Sequence, residues 1–240
     1  MMRSKQENLN LDNVGCTTGE LTVRAKKVAN TLHEVYGSPR HGNKDDPLDE
    51  LVFIILSQMT THHSFGRVYD RLKLLFPDWS DVRGLPVEQL AEVIKDAGLS
   101  NQKAPRIKAI LERVFADFGK VSLAHLGRLS DAEAEQYLTS LPGVGTKTAK
   151  CVLMYSLDRA VLPVDTHVWR LSKRLGLVQG ELSYSTVHEA LENVVLPEDR
   201  YSFHVNAISH GRAVCLAKKP RCVGCPLMSI CPSWLTGHPR

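Results

Sequence analysis

The sequence predicts an all-α protein in two domains. Three observations point there: helix-start signals recur along the 240 residues, apolar positions repeat at helical spacing, and no stretch alternates with a period of two. Composition is that of an ordinary globular chain, 43% hydrophobic and 23% charged, long enough to bury a substantial core. The net charge of +4, from 30 basic and 26 acidic side chains, is too mild to mark a nucleic-acid binder, so any basic surface has to be local. No apolar run reaches the length of a bilayer, and the N-terminus lacks the apolar core of a secretion signal. The expectation is a cytoplasmic protein, in which six cysteines read as thiols or metal ligands rather than disulfides.

Residues 1–20, rich in Asn, Glu, Gly and Thr, are expected to form a disordered tail, with structure beginning near Leu21. Asp46-Pro47 followed by Asp49 and Glu50 starts a helix: a capping side chain, proline in the first turn and acids at the positive dipole end. The run Leu51–Leu56 that follows has no polar residue, so this helix is deeply buried. Further on, Leu90, Val93, Ile94 and Ala97 share a stripe that stops at Gly98. Ser130 and Glu133 make a capping box before a helix carrying Ala134, Tyr137, Leu138 and Leu141 on one face. A helix follows Lys147 with Ala149, Val152 and Leu153 inward, and Ser185–Val195 reads as another. Breaks at Gly37–Pro47 and Ala160–Pro163 bracket a central domain, 47–160. The flanking segments, 21–46 and 161–240, are expected to pack together as the second.

Two constellations carry chemistry. In "LPGVGTKTAK", Pro142 ends one helix while Gly143 and Gly145 permit a tight turn into the next. The amides of Val144, Gly145 and Thr146 would point outward beside a helix N-terminus, a seat for phosphate that carries no base information. A plain helical hairpin is the competing reading. Lys147 stands where the helix dipole disfavours an ammonium, as a nucleophilic amine requires, although most lysines in a first turn are simply solvated. Asp165, eighteen residues on, follows the extended "LPV" and suits a helix cap. Cys215, Cys222, Cys225 and Cys231 are spaced C-x6-C-x2-C-x5-C. Four thiolates so close repel one another and need a metal, and spacing alone leaves zinc and iron–sulfur both open. Between the first two lie Lys218, Lys219 and Arg221, a basic loop suited to phosphate.

Taken together, "LPGVGTKTA", "VDTHVWRLSKRLGLV", "HGRAVCLAKKPRC" and the cysteine spacing resemble the endonuclease III branch of the helix-hairpin-helix DNA glycosylases, from about Leu21 to Cys231. The resemblance implies a six-helix barrel with the helix-hairpin-helix at about 138–157. It also implies a second domain that binds a [4Fe–4S] cluster through the four cysteines. DNA would cross the cleft between domains with a damaged base flipped into it. Lys147 would attack C1′ and, through a Schiff base and β-elimination, nick the strand, while Asp165 stabilises the positive sugar and helps activate the nucleophile. Expected DNA contacts are Gly143, Val144, Gly145, Thr146, Leu99, Met59, His167, Arg170, Lys218, Lys219 and Arg221; Arg170 and Arg174, four apart on one helix face, are read as phosphate partners, with interdomain ion pairs as the alternative. The family usually has Gln or Asn where Met59 stands and Asp where His62 stands, so opposite-base discrimination and lesion range depart from the pattern. The expected partner is double-stranded DNA bearing damaged bases or abasic sites, engaged by a monomer without a membrane. A mismatch thymine glycosylase and a non-catalytic damage binder are the alternatives.

Overall fold

The computed structural model describes residues 16–40, 42–59, 62–178, 182–183 and 186–237, with His62 and His63 described by their backbone alone. The departure from the family pattern at His62 therefore lies outside the described side chains, and residues 1–15 of the expected tail lie outside the described residues. Among the described residues, twelve α-helices and four short 3-10 turns account for the regular structure, and no strand occurs. The helices are α1 (Thr18–Tyr36), α2 (Pro47–Ser57), α3 (His62–Leu75), α4 (Trp79–Gly84), α5 (Val87–Val93) and α6 (Ser100–Phe118). They continue as α7 (Asp131–Ser140), α8 (Thr146–Ser156), α9 (Thr166–Arg174), α10 (Thr186–Glu192), α11 (Arg200–Ala213) and α12 (Pro232–Leu235). None of them is long and apolar enough to cross a membrane.

Structure begins earlier than Leu21. Thr17 and Glu20 form a capping box, the Thr17 hydroxyl accepting from the Glu20 N–H and the Glu20 carboxylate accepting from the Thr17 N–H at 2.8 Å. That signal was present as T-x-x-E and corrects the expected tail. Helix α2 starts as read, with the Asp46 carboxylate accepting from the N–H groups of Leu48 and Asp49. Every residue from Leu51 to Leu56 is buried, so α2 touches neighbours all round. It packs on α3, α6 and α8, and is the central helix of its half of the molecule.

Two apolar cores result. One gathers α2 to α8, from Leu48 to Val161. The other joins α1 to α9, α10 and α11, and starts again at Leu162. The chain crosses between them on an extended segment, where Asp158 adopts a left-handed φ of 49°. Lys150 of α8 bridges the halves: its buried ammonium contacts Glu135 of α7 at 3.2 Å and Glu192 of α10 at 2.7 Å. The Glu192 carboxylate also accepts from the Leu162 N–H, at the point where one core gives way to the other.

Candidate active site and cysteine loop

The turn between α7 and α8 is closed by the Val144 N–H donating to the Leu141 carbonyl at 3.1 Å, with the Val144 side chain buried beneath it. This corrects one expected contact: the Val144 amide is used inside the turn and does not face outward. Gly145, exposed, is the N-cap of α8, and no side chain caps that end, which leaves Gly145 and Thr146 as the amides placed for an anion. Gly143 has φ +71°, and a Cβ there would lie 2.7 Å from the Arg106 Nε. Gly143→Ala is therefore expected to lower stability by about 1–2 kcal/mol through the left-handed backbone. It is also expected to weaken affinity for duplex DNA, and urea unfolding beside a binding titration measures both. Arg106 itself was not legible in the sequence. It brings a cation over the turn and donates to the Gln58 side chain at 2.9 Å.

Lys147, in the first turn of α8, lines a cleft of about 140 Å³ where the two halves meet. Glu50, Phe53 and Ile54 of α2 form one wall, and His204, Ile208 and Arg212 of α11 the other. Cys151, one turn below Lys147, is buried; burial pushes its thiol up, while the Lys147 charge and hydrogen bond pull it down. Asp165 is not among the residues lining this cleft. Its Oδ1 accepts from the N–H groups of His167 and Val168, at 2.9 and 2.8 Å, capping α9. Asp165 and Lys147 nonetheless act on the same buried thiol, so the two halves bring them to one neighbourhood.

The carboxyl that lines the cleft with Lys147 is Glu50, which is 0% exposed. Its oxygens accept from the Asn43 amide and the Lys44 N–H, each at 2.7 Å. Burial pushes it up to about 7, a rise that these two hydrogen bonds and the charges of Lys44 and Lys147 limit. The folded carboxyl thus holds its proton above the unfolded value near 4.5, so folding is favoured at pH 4.5 and that advantage is lost as pH rises to 7. Glu50→Gln is expected to remove this dependence, roughly 3 kcal/mol across the window, when urea unfolding is followed from pH 4.5 to 8. In the sequence Glu50 reads only as a helix-start acid; in the structure it meets Asn43 and Lys44 nearby and, across the cleft, α8 about a hundred positions away.

Met59 and Leu99 lie in two loops beside the first core. Both take left-handed φ values, 53° and 51°, and both are exposed, 88% and 47%. Buried Lys103 ties their loops together by donating to the Leu56 and Ala97 carbonyls, at 2.7 Å each.

On the other half, His167 packs against Gly211 and meets the Arg170 guanidinium at 3.0 Å; burial lowers its basicity. Arg170 donates to the Cys215 and Gly211 carbonyls, both at 2.9 Å. Arg174, 5% exposed, donates to the Cys215 Sγ at 3.1 Å and to the carbonyls of Leu216 and Ala217. A phosphate role for Arg174 is corrected by this burial, because its donors are spent holding the cysteine segment. Lys218, Lys219 and Arg221 are exposed on that segment.

Cys215, Cys222, Cys225 and Cys231 line one recess together with Leu171, Leu227 and Met228. The Cys225 and Cys231 thiols are pushed up, first by burial and also by the negative charge of the other sulfurs. Among the described residues no group of three or more His, Cys, Asp or Glu side chains is gathered as one metal ion requires. Four sulfurs around an apolar recess, one already accepting from a guanidinium, suit a multinuclear iron–sulfur group, which takes thiolates on its outside.

Fold and hairpin define a class. The family model of HhH-GPD superfamily base excision DNA repair proteins matches residues 52–197, and the chain belongs to that family. Within it the protein is endonuclease III-like, of the DNA glycosylase/AP lyase class. Endonuclease III of Bacillus subtilis (strain 168) is 34% identical over 186 residues, covering 78% of this chain and 81% of that protein. A solved non-covalent endonuclease III–DNA complex superposes with a TM-score of 0.76 at 26% identity, covering 93% of this chain and 99% of that one. A relative from Arabidopsis thaliana, named as a candidate DNA glycosylase, is 35% identical over 176 residues. The match takes in 73% of this chain but only 60% of that longer protein.

Proposed function

We propose that the protein excises damaged pyrimidines from duplex DNA and cleaves the resulting abasic strand, with Lys147 as the nucleophile. The observation that carries this reading is the placement of Lys147: directly after a glycine turn suited to phosphate, and in a cleft between the two cores. In this proposal the halves are two domains, 47–160 against 21–46 with 161–240, and DNA lies across their junction. Gly145 and Thr146 seat a phosphate, which sets the reach of Lys147 to the neighbouring sugar. Its amine displaces the base at C1′, and the Schiff base then allows β-elimination. Asp165, with one oxygen committed to capping, offers the other to the positive sugar. Met59 and Leu99 enter the base stack once the nucleotide has turned out; Met59 fills space but offers no hydrogen bond to the orphaned base.

The four cysteines would hold a [4Fe–4S] cluster, which when bound cross-links one segment at four points. The chain's own residues orient that segment: Arg170 and Arg174 grip its start, leaving Lys218, Lys219 and Arg221 for phosphate. Affinity for lesion DNA is expected to fall steeply with salt, and each alanine at Lys218 or Lys219 should reduce the log–log slope by about one. Binding isotherms from low to moderate salt give that slope; an unchanged slope removes these lysines from the interface. The proposal as a whole is tested by incubating lesion-bearing duplex with the protein and borohydride, which captures the Schiff base as a covalent adduct.

A further inference from the structure

Lys147 must be neutral to attack, and the carboxyl assigned by resemblance to assist it is the cap of α9, absent from the cleft lining. Glu50 is the carboxyl that shares the cleft. It is fully buried, anchored by Asn43 and by the Lys44 N–H, and faces α8 across the contact between α2 and α8. Its charge acts on Lys147, on Cys151 and on Tyr155, so it stands inside the group of side chains around the amine. An ionised buried carboxylate costs several kcal/mol unless it has a task or a partner, and two hydrogen bonds satisfy only part of its acceptor capacity. The Asn43 that steadies it keeps its own carbonyl oxygen buried without a hydrogen-bond partner.

We propose that Glu50 is the proton acceptor that keeps Lys147 nucleophilic, an inference that rests on the Lys147 reading above. The Glu50 carboxylate takes one proton from the Lys147 ammonium. The freed lone pair forms the N–C1′ bond as the C1′–base bond breaks, and that bond's electron pair leaves with the base. The base takes up the proton Glu50 holds, so charge and protons balance: one cationic nitrogen enters the step and one, now bonded to C1′, leaves it. A carboxyl near neutrality serves both transfers, since it neither holds nor releases its proton too firmly. The groups that face it are Lys44 from the preceding loop, Lys147, Cys151 and Tyr155 from α8, and His204 and Arg212 from α11. Of these, the charges of Lys44 and Lys147 favour the carboxylate.

The test is single-turnover excision of an oxidised pyrimidine by the full-length protein at saturating enzyme, followed from about pH 5.5 to about pH 9, a window that brackets the Glu50 carboxyl. The wild-type rate is expected to rise with pH and level off above about 7. Glu50→Gln should lose that rising limb and fall about 10²-fold, while its affinity for a duplex carrying an abasic-site analogue stays within about twofold. Asn43→Ala removes one hydrogen bond to the carboxylate, so its limb should move to higher pH with the plateau retained. A merely structural role would produce no such displacement. The assignment is overturned if Glu50→Gln keeps the wild-type rate and profile, or if its excision and DNA affinity fall together. If the wild-type protein forms no borohydride adduct, the Lys147 reading falls and takes this one with it. If it does form one and Glu50→Gln matches it, only the Glu50 assignment falls.

Discussion

Lys147→Ala is expected to abolish the borohydride-trapped adduct and to reduce excision on the order of 10³-fold or more, while the protein still folds and binds abasic-site DNA. The informative control is Lys150→Ala, three residues along the same helix. Lys150 is buried against Glu135 and Glu192, so its removal leaves two carboxylates and the Leu162 N–H junction without their cation. That change should cost about 3–5 kcal/mol of stability, the usual result of breaking a buried pair, yet leave adduct formation intact in the protein that remains folded. The two lysines thus separate by assay. Thermal unfolding reports the loss of Lys150, and denaturing gels of the trapped complex report the loss of Lys147. An adduct that survives Lys147→Ala would assign the chemistry to another amine.

Cys225→Ser is expected to strip iron from the protein and lower its unfolding temperature by about 10 °C. Cys225 sits in the recess with the other three cysteines, and His210 Nε2 lies 3.5 Å from its sulfur. The segment around it has little core of its own: of its residues from 215 to 231, only Leu227 is buried. Its order therefore depends on the cluster and on the arginines of α9. Iron content, brown absorbance and a melting curve on the wild-type and variant proteins check this together. A wild-type protein that carries one zinc and no iron would sink the cluster assignment, as would a variant with undiminished iron.

Helical class was legible in the sequence because its causes are local. Caps at Asp46 and Ser130, the glycine turn at 143–145 and the all-apolar run of α2 each act within a few residues, and the structure places helices on all of them. The cysteine spacing stood out for the same reason. Less of the site could be read. Local spacing cannot say which N–H closes a turn, so the sequence alone leaves the Val144 amide facing outward. Helical spacing shows that Arg170 and Arg174 share a face but not that the cysteine segment covers Arg174.

By itself, the sequence determined the helical class and the helices begun at Asp46 and Ser130, the turn that precedes Lys147 and the set of four cysteines, all products of short-range sterics, capping and ligand chemistry. Tertiary structure alone decided the surroundings of the amine: Glu50 from α2, Asp165 before α9 and Arg212 from α11 lie far apart along the chain. Burial, and with it the proton affinity of Glu50, exists only once two separate cores have closed around the same cleft.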